Sequence, residues 1–257
     1  MAKARRHRTT AICAALGCAL LLGLHVRQGF GAAGTIGVGV KHNISTAVFV
    51  PDGPGPFPGM LVLEKSLGVE PLTLTYAKRL ADAGYVCFVP YYLEAYGLTG
   101  NSRGESFTRS EEVIYTDLAE AADELQHHDK VNGSKIGAVG FSNGGFFTVM
   151  LAARGKVQAG VDYYGAITGF GTDPQLFRIK TAITPQSSPM LLLVGDKDGY
   201  YRPTLRLGIL LRDAQVPHLI HVYPGGPHEF EKFSVQDADD AWNRMVRFLG
   251  RWLKSPS

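Results

Sequence analysis

The chain has 257 residues, 45% of them hydrophobic, which is enough apolar material for one large core. Its net charge of +3 is an effect of the N-terminus: residues 1–33 hold five basic and no acidic residues, and the remainder stands at −2, so the basicity implies no nucleic-acid partner. A Walker A sequence, an H-E-x-x-H pair and a paired-cysteine spacing are all missing, and Gly34 to Gly39 lack the G-x-G-x-x-G spacing, so neither a cofactor nor a metal is expected.

In chain order, Lys3, Arg5, Arg6 and Arg8 precede an uncharged apolar stretch, 11–24, and the small residues Gly31, Ala32 and Ala33 follow. That order of basic, apolar and small residues predicts a signal peptide over 1–33 and export to the periplasm or medium, with an uncleaved membrane anchor as the alternative. After removal no membrane partner is expected. Cys13 and Cys18 leave with the segment, and Cys87, inside an apolar run, reads as inert packing.

Residues 34–257 read as one domain in which strand-like and helical runs alternate. Strands are expected at 47–50, 60–64, 85–89, 136–140, 159–164, 190–194 and 219–223. Helices are expected at 72–83, 111–127, 145–154, 204–214 and 238–253. The turn-rich run 51–59 is expected to join the first antiparallel strands. Such alternation predicts an α/β fold with a mostly parallel central sheet and helices on both faces.

The most informative residues are Gly140-Phe141-Ser142-Asn143-Gly144, a G-x-S-x-G sequence between the apolar run 135–139 and a helical run. A nucleophilic hydroxyl needs a strained strand-to-helix turn, glycines let neighbouring backbone approach, and the Asn143 N–H would face a developing oxyanion. A plain glycine-rich turn is the duller reading, and the strand and helix on either side argue against it. Downstream, the run 190–194 opens into Asp196 and Asp198, and the run 219–223 opens into Gly225-Gly226-Pro227-His228. Serine, acid and histidine therefore come in the chain order of an α/β-hydrolase, each on a loop after a strand. Asp198 lies further past its strand and is the favoured acid; Asp196 is read as capping the turn, and Asp162 is a third candidate. His218, His221, His127 and His128 read as structural.

With these residues in view, the chain resembles the dienelactone hydrolase family, as an α/β-hydrolase with serine where that family's best-known members carry cysteine. The resemblance runs from about residue 48 to 253 and is most specific over 58–69, a strand ending in a glutamate before a Gly-containing loop, and over 81–90. It implies that Glu64 contacts the nucleophile, that the Lys65 N–H is the second oxyanion donor beside that of Asn143, and that Lys232, four residues after His228, occupies a substrate-binding position. Tyr91 and Tyr164, at strand ends, read either as lining of an acyl site or as packing at the sheet rim.

The expected function is hydrolysis of a small carboxylic ester or lactone through an acyl-enzyme on Ser142, with Asp198 and His228 completing the triad. A serine peptidase or acyltransferase on the same fold, or a ligand-binding homologue without turnover, are the alternatives. The interval 165–189 is too short for a lid domain, so loops 91–109 and 170–179 are expected to cover the site, which suits compact substrates.

Overall fold

The computed structural model describes residues 34–38, 42–98, 100–168 and 174–254. The expected signal peptide, Cys13, Cys18 and the first part of the 170–179 loop lie outside the described residues. Among those described, no helix is long and apolar enough to cross a membrane.

Eight strands form one sheet: β1 (Gly34–Val38), β2 (Ile44–Phe49), β3 (Phe57–Leu63), β4 (Val86–Pro90), β5 (Val131–Phe141), β6 (Ala159–Tyr163), β7 (Met190–Gly195) and β8 (His218–Tyr223), in spatial order β1-β2-β4-β3-β5-β6-β7-β8. The first two pairings, β1 with β2 and β2 with β4, are antiparallel; the rest are parallel. The glycine-rich segment at 34–38 is thus a strand, held by its ladder with β2. The turn-rich run after β2 leads to β3, and β4 lies between those two strands, so it does not close a hairpin as expected.

The central strands, such as β4 and β7, are buried on both faces because helices cover both. Alternation along β3 divides the side chains: Leu61 and Leu63 pack on one face, Met60 and Val62 on the other. The first face is covered by α3 (Glu111–Gln126), α4 (Asn143–Ala153) and α6 (Tyr201–Asp213), through side chains such as Leu118, Met150 and Leu207. The second is covered by α1 (Pro71–Asp82) and α7 (Val235–Leu249), through Leu80 and Met245. Helix α4 is buried all round, as its mostly apolar sequence allows. Starts are set locally: Pro71 opens α1, and the Ser234 hydroxyl accepts from the Asp237 N–H at 3.1 Å to cap α7. A one-turn helix α2 (Tyr92–Ala95), a 3₁₀ segment (Gly100–Phe107) and α5 (Pro174–Ala182) complete the order.

Candidate active site

Four parallel strands deliver the site at their C-terminal ends. In the β3–β5 ladder Leu63 faces Gly140, so the chain two residues on, Lys65 and Ser142, leaves from adjacent strand ends. Ser142 has φ 52° and ψ −106°, a strained backbone that lifts its side chain off the sheet. The strain is held from several sides: the Ser142 N–H donates to the Tyr163 carbonyl at 2.9 Å, and the Ser142 carbonyl accepts from Ala166 at 2.8 Å. Glycine is required two residues before it, since a Cβ at Gly140 would stand 2.0 Å from the Gly144 carbonyl oxygen.

The acid and histidine loops, after β7 and β8, touch through their backbones. Lys197 N–H donates to the Gly226 carbonyl at 2.9 Å and Asp196 N–H to the Tyr223 carbonyl at 3.1 Å. These loops place the His228 Nδ1 2.7 Å from Asp198 Oδ2 and the His228 Nε2 3.0 Å from Ser142 Oγ. The other Asp198 oxygen accepts from the Tyr200 N–H at 2.9 Å, and the carboxylate is buried. Asp196 is elsewhere: its side chain accepts from Gly225 N–H at 2.8 Å, bracing the histidine loop. Asp162 is buried beside Gly145 and Gly165, and burial pushes its carboxyl up to about 8. The rings of Tyr164 and Tyr200 meet the imidazole edge-on, with centroids 4.9 and 5.5 Å away.

Asn143 opens α4, where first-turn N–H groups have no intrahelical acceptor. Its buried side chain is anchored at both ends, accepting from Tyr92 OH at 2.6 Å and donating to Ser106 Oγ at 2.7 Å. The next amide, Gly144, donates to the Glu64 carbonyl at 2.9 Å.

A cavity of about 610 Å³ opens over Ser142 and His228. Its walls are Lys65, Ser66 and Leu67 after β3; Gly100, Asn101, Gly104 and Phe107 of the 3₁₀ segment; and Tyr200 and Glu229. Four expected positions are not in this lining. The fully buried Glu64 carboxyl accepts from the Leu93 N–H at 2.7 Å, because that first-turn amide of α2 needs an acceptor. Burial pushes the Glu64 carboxyl up to about 8, against the lowering effect of the Leu93 bond. Tyr164 is buried, with its hydroxyl donating to the Glu231 carboxylate, and half-buried Tyr91 packs on the α1 and α7 side of the sheet. Lys232 stands behind the wall, 2.7 Å from Glu229 Oε2.

Glu229 and Tyr200 were not singled out from the sequence, whereas the 3₁₀ residues belong to the 91–109 loop expected to cover the site. Glu229 holds φ 60°, in the left-handed region, and its Oε1 accepts from the Lys65 ammonium, which also pairs with Glu70. Burial raises the Glu229 carboxyl, but hydrogen bonds from Lys232 and Lys65 outweigh it and leave the group below the ordinary range. Among the described residues, no group of three or more His, Cys, Asp or Glu is placed to hold a metal ion.

Comparison with known proteins places the chain in a family. The carboxymethylenebutenolidase of Pseudomonas putida is 27% identical over 194 residues, 70% of this chain and 77% of that protein. Two solved structures share the fold. A dienelactone hydrolase-like promiscuous phosphotriesterase from metagenomic libraries superposes with a TM-score of 0.68 at 19% identity, over 85% of this chain and 97% of that one. The dienelactone hydrolase of Anabaena variabilis gives 0.61 at 20%, over 86% and 98%. The sequence model described as the dienelactone hydrolase family matches residues 44–253, and the chain therefore belongs to that family of carboxylic ester hydrolases with the α/β-hydrolase fold.

Proposed function

We propose that the protein hydrolyses small carboxylic esters or lactones through an acyl-enzyme on Ser142. The observation that carries this reading is the single line of contacts from Ser142 Oγ to His228 Nε2 at 3.0 Å and from His228 Nδ1 to Asp198 Oδ2 at 2.7 Å. In the reaction, His228 takes the hydroxyl proton as Oγ attacks the acyl carbon, and the Asn143 and Lys65 amides hold the resulting oxyanion. Collapse breaks the bond to the leaving oxygen, which receives the proton from His228; for a lactone the leaving oxygen stays tethered to the acyl group. Water then attacks the acyl-enzyme, gives its proton to His228, and releases the acid as Ser142 regains its own. Asp198 holds Nδ1–H in the required tautomer and stabilises the imidazolium.

A cavity of about 610 Å³, whose described walls include the 3₁₀ segment and loop residues, supports compact substrates over long acyl chains. The N-terminal sequence supports an exported protein, with processing near Gly34. The test is labelling and turnover together. A fluorophosphonate probe is expected to modify the chain once, at Ser142, and kcat/KM is expected to fall along a series of aryl esters as the acyl chain lengthens. Labelling at another residue overturns the nucleophile, faster turnover of amides than of esters favours a peptidase, and a rise with chain length favours a lipase.

A further inference from the structure

Strand β8 ends the sheet: one of its edges meets β7, and among the described residues no strand pairs with the other. The carbonyls of Pro217 and Tyr223 accept from the Met190 and Asp196 N–H groups, which fixes the side of the strand that faces β7. Successive residues of a strand direct their N–H and C=O groups to opposite sides. The odd-numbered residues therefore bond towards β7, and His218, Ile220 and Val222 direct their backbone groups to the outer edge. The pairing with β7 runs through all six residues of β8 without a register shift. Its sequence, HLIHVY, has none of the lysines or prolines with which sheet edges are usually kept single.

On the face shared with α7 this edge is apolar at its floor and charged at its wall. Leu219 is 58% exposed and lies with Phe248 and Trp252 in a groove of about 540 Å³ between β8 and the end of α7. Asp237, Asp240, Arg244, Arg247 and Arg251 recur at helical spacing along one stripe above it. The stripe stands over β8, because Asp240 accepts from Tyr223 OH at 3.1 Å and lies 3.6 Å from His221 Nε2, and the three arginines line the groove. Its start is acidic and its end is basic. Arg244, in the middle, bonds to Asp240.

A helix whose charge reverses along its length is complementary to itself when a second copy runs antiparallel. A two-fold axis through Ile220, perpendicular to the sheet, arranges this. It pairs the outward N–H and C=O groups of Ile220 with those of Ile220 in the other copy, and those of His218 with Val222 in both directions. It sets Leu219 opposite His221 of the other copy on the α7 face. Asp237 and Arg251, seven residues to either side of Arg244, then come to face each other across the axis. An acidic extended peptide would satisfy the strand edge and the arginines but would set its own charge against Asp237, so the mixed stripe favours a second copy. We propose that the protein forms a symmetric homodimer in which two β8 strands pair antiparallel and join the two sheets into one.

The experiment is sedimentation velocity of the purified full chain over a concentration series from sub-micromolar to tens of micromolar, with circular dichroism to verify that each variant is folded. Wild type is expected to sediment as a species of twice the chain mass. Leu219→Lys, which puts a charge on an exposed side chain at the seam, is expected to raise the dimer Kd at least about tenfold. Arg251→Asp is expected to raise it by about tenfold, and adding Asp237→Arg to that variant is expected to bring it back to within about threefold of wild type, because the swap restores opposite charges across the axis. A wild type that stays monomeric throughout overturns the proposal, as does a monomer that instead binds an added polyglutamate peptide. Association that Leu219→Lys and Arg251→Asp both leave unchanged also overturns it, since the contact then lies on another surface. Weakening by Arg251→Asp without rescue by Asp237→Arg overturns the antiparallel arrangement.

Discussion

The Gly144 amide donates to the Glu64 carbonyl at 2.9 Å, and a Cβ placed on Gly144 would stand 2.5 Å from the Leu63 carbonyl oxygen. The start of α4 and the end of β3 are therefore in backbone contact, and this contact sets the gap between Asn143 and Lys65. Gly144→Ala forces two backbones apart where neither can yield cheaply, and should cost about 2–4 kcal/mol, lowering the thermal midpoint by roughly 5–12 °C. A midpoint within a degree of wild type would show that the two segments are not so coupled.

The two aspartates of the β7 loop should separate cleanly in kinetics. Asp198→Asn leaves His228 in the wrong tautomer and should lower kcat by about 10²- to 10⁴-fold, whereas Asp196→Asn removes a bond to Gly225 N–H and should change kcat less than about tenfold. Equal losses, or the opposite ranking, would assign the histidine a different partner.

Glu64 supplies a pH dependence of stability. Its carboxyl is raised by burial to about 8 in the folded protein, against 4.5 as the ordinary value. The folded state thus keeps a proton that the unfolded chain releases, so the contribution is full below about 4.5 and is lost as pH rises towards 8. Between pH 5.5 and 7.5, Glu64→Gln should flatten the fall in urea-unfolding free energy by about 1.4 kcal/mol per pH unit. Asp162, raised in the same way, should leave a residual slope in the variant. Parallel curves for the two proteins would mean that Glu64 is ionised when folded.

Cys87 is fully buried, and burial raises its thiol far above the ordinary range. In protein lacking residues 1–33, a disulfide reagent should find no reactive thiol in the native state and one equivalent in concentrated urea. Rapid native reaction would indicate that β4 opens readily, and its rate would measure that opening.

The central strands show in the sequence because a sheet covered on both faces favours apolar runs, as in Met190–Gly195, and the edge strand β8 shows as a shorter run with two histidines. Other elements carry no such pattern. Strand β1 contains two glycines in five residues and exists through its ladder with β2, while α2 is a single turn, too short for a helical period to show. The polar residues Asn132 and Lys135 likewise hid the first half of β5, which extends back to Val131.

At the site, the residue types and their order on strand-end loops were determined by the sequence: a glycine-flanked Ser142, an acid after β7 and His228 after β8, because each loop's chemistry is local to its strand. Which aspartate stands beside His228 was settled by how the β7 and β8 loops bond to each other, which sends Asp196 to Gly225 and Asp198 to the imidazole. The pairing of Lys65 with Glu229 and Glu70, and the turning of Glu64 towards Leu93, likewise required the tertiary structure. Lys65 and Glu229 are 164 residues apart, and no local period or propensity links side chains across that distance; only the parallel register of the sheet brings their loops to one rim.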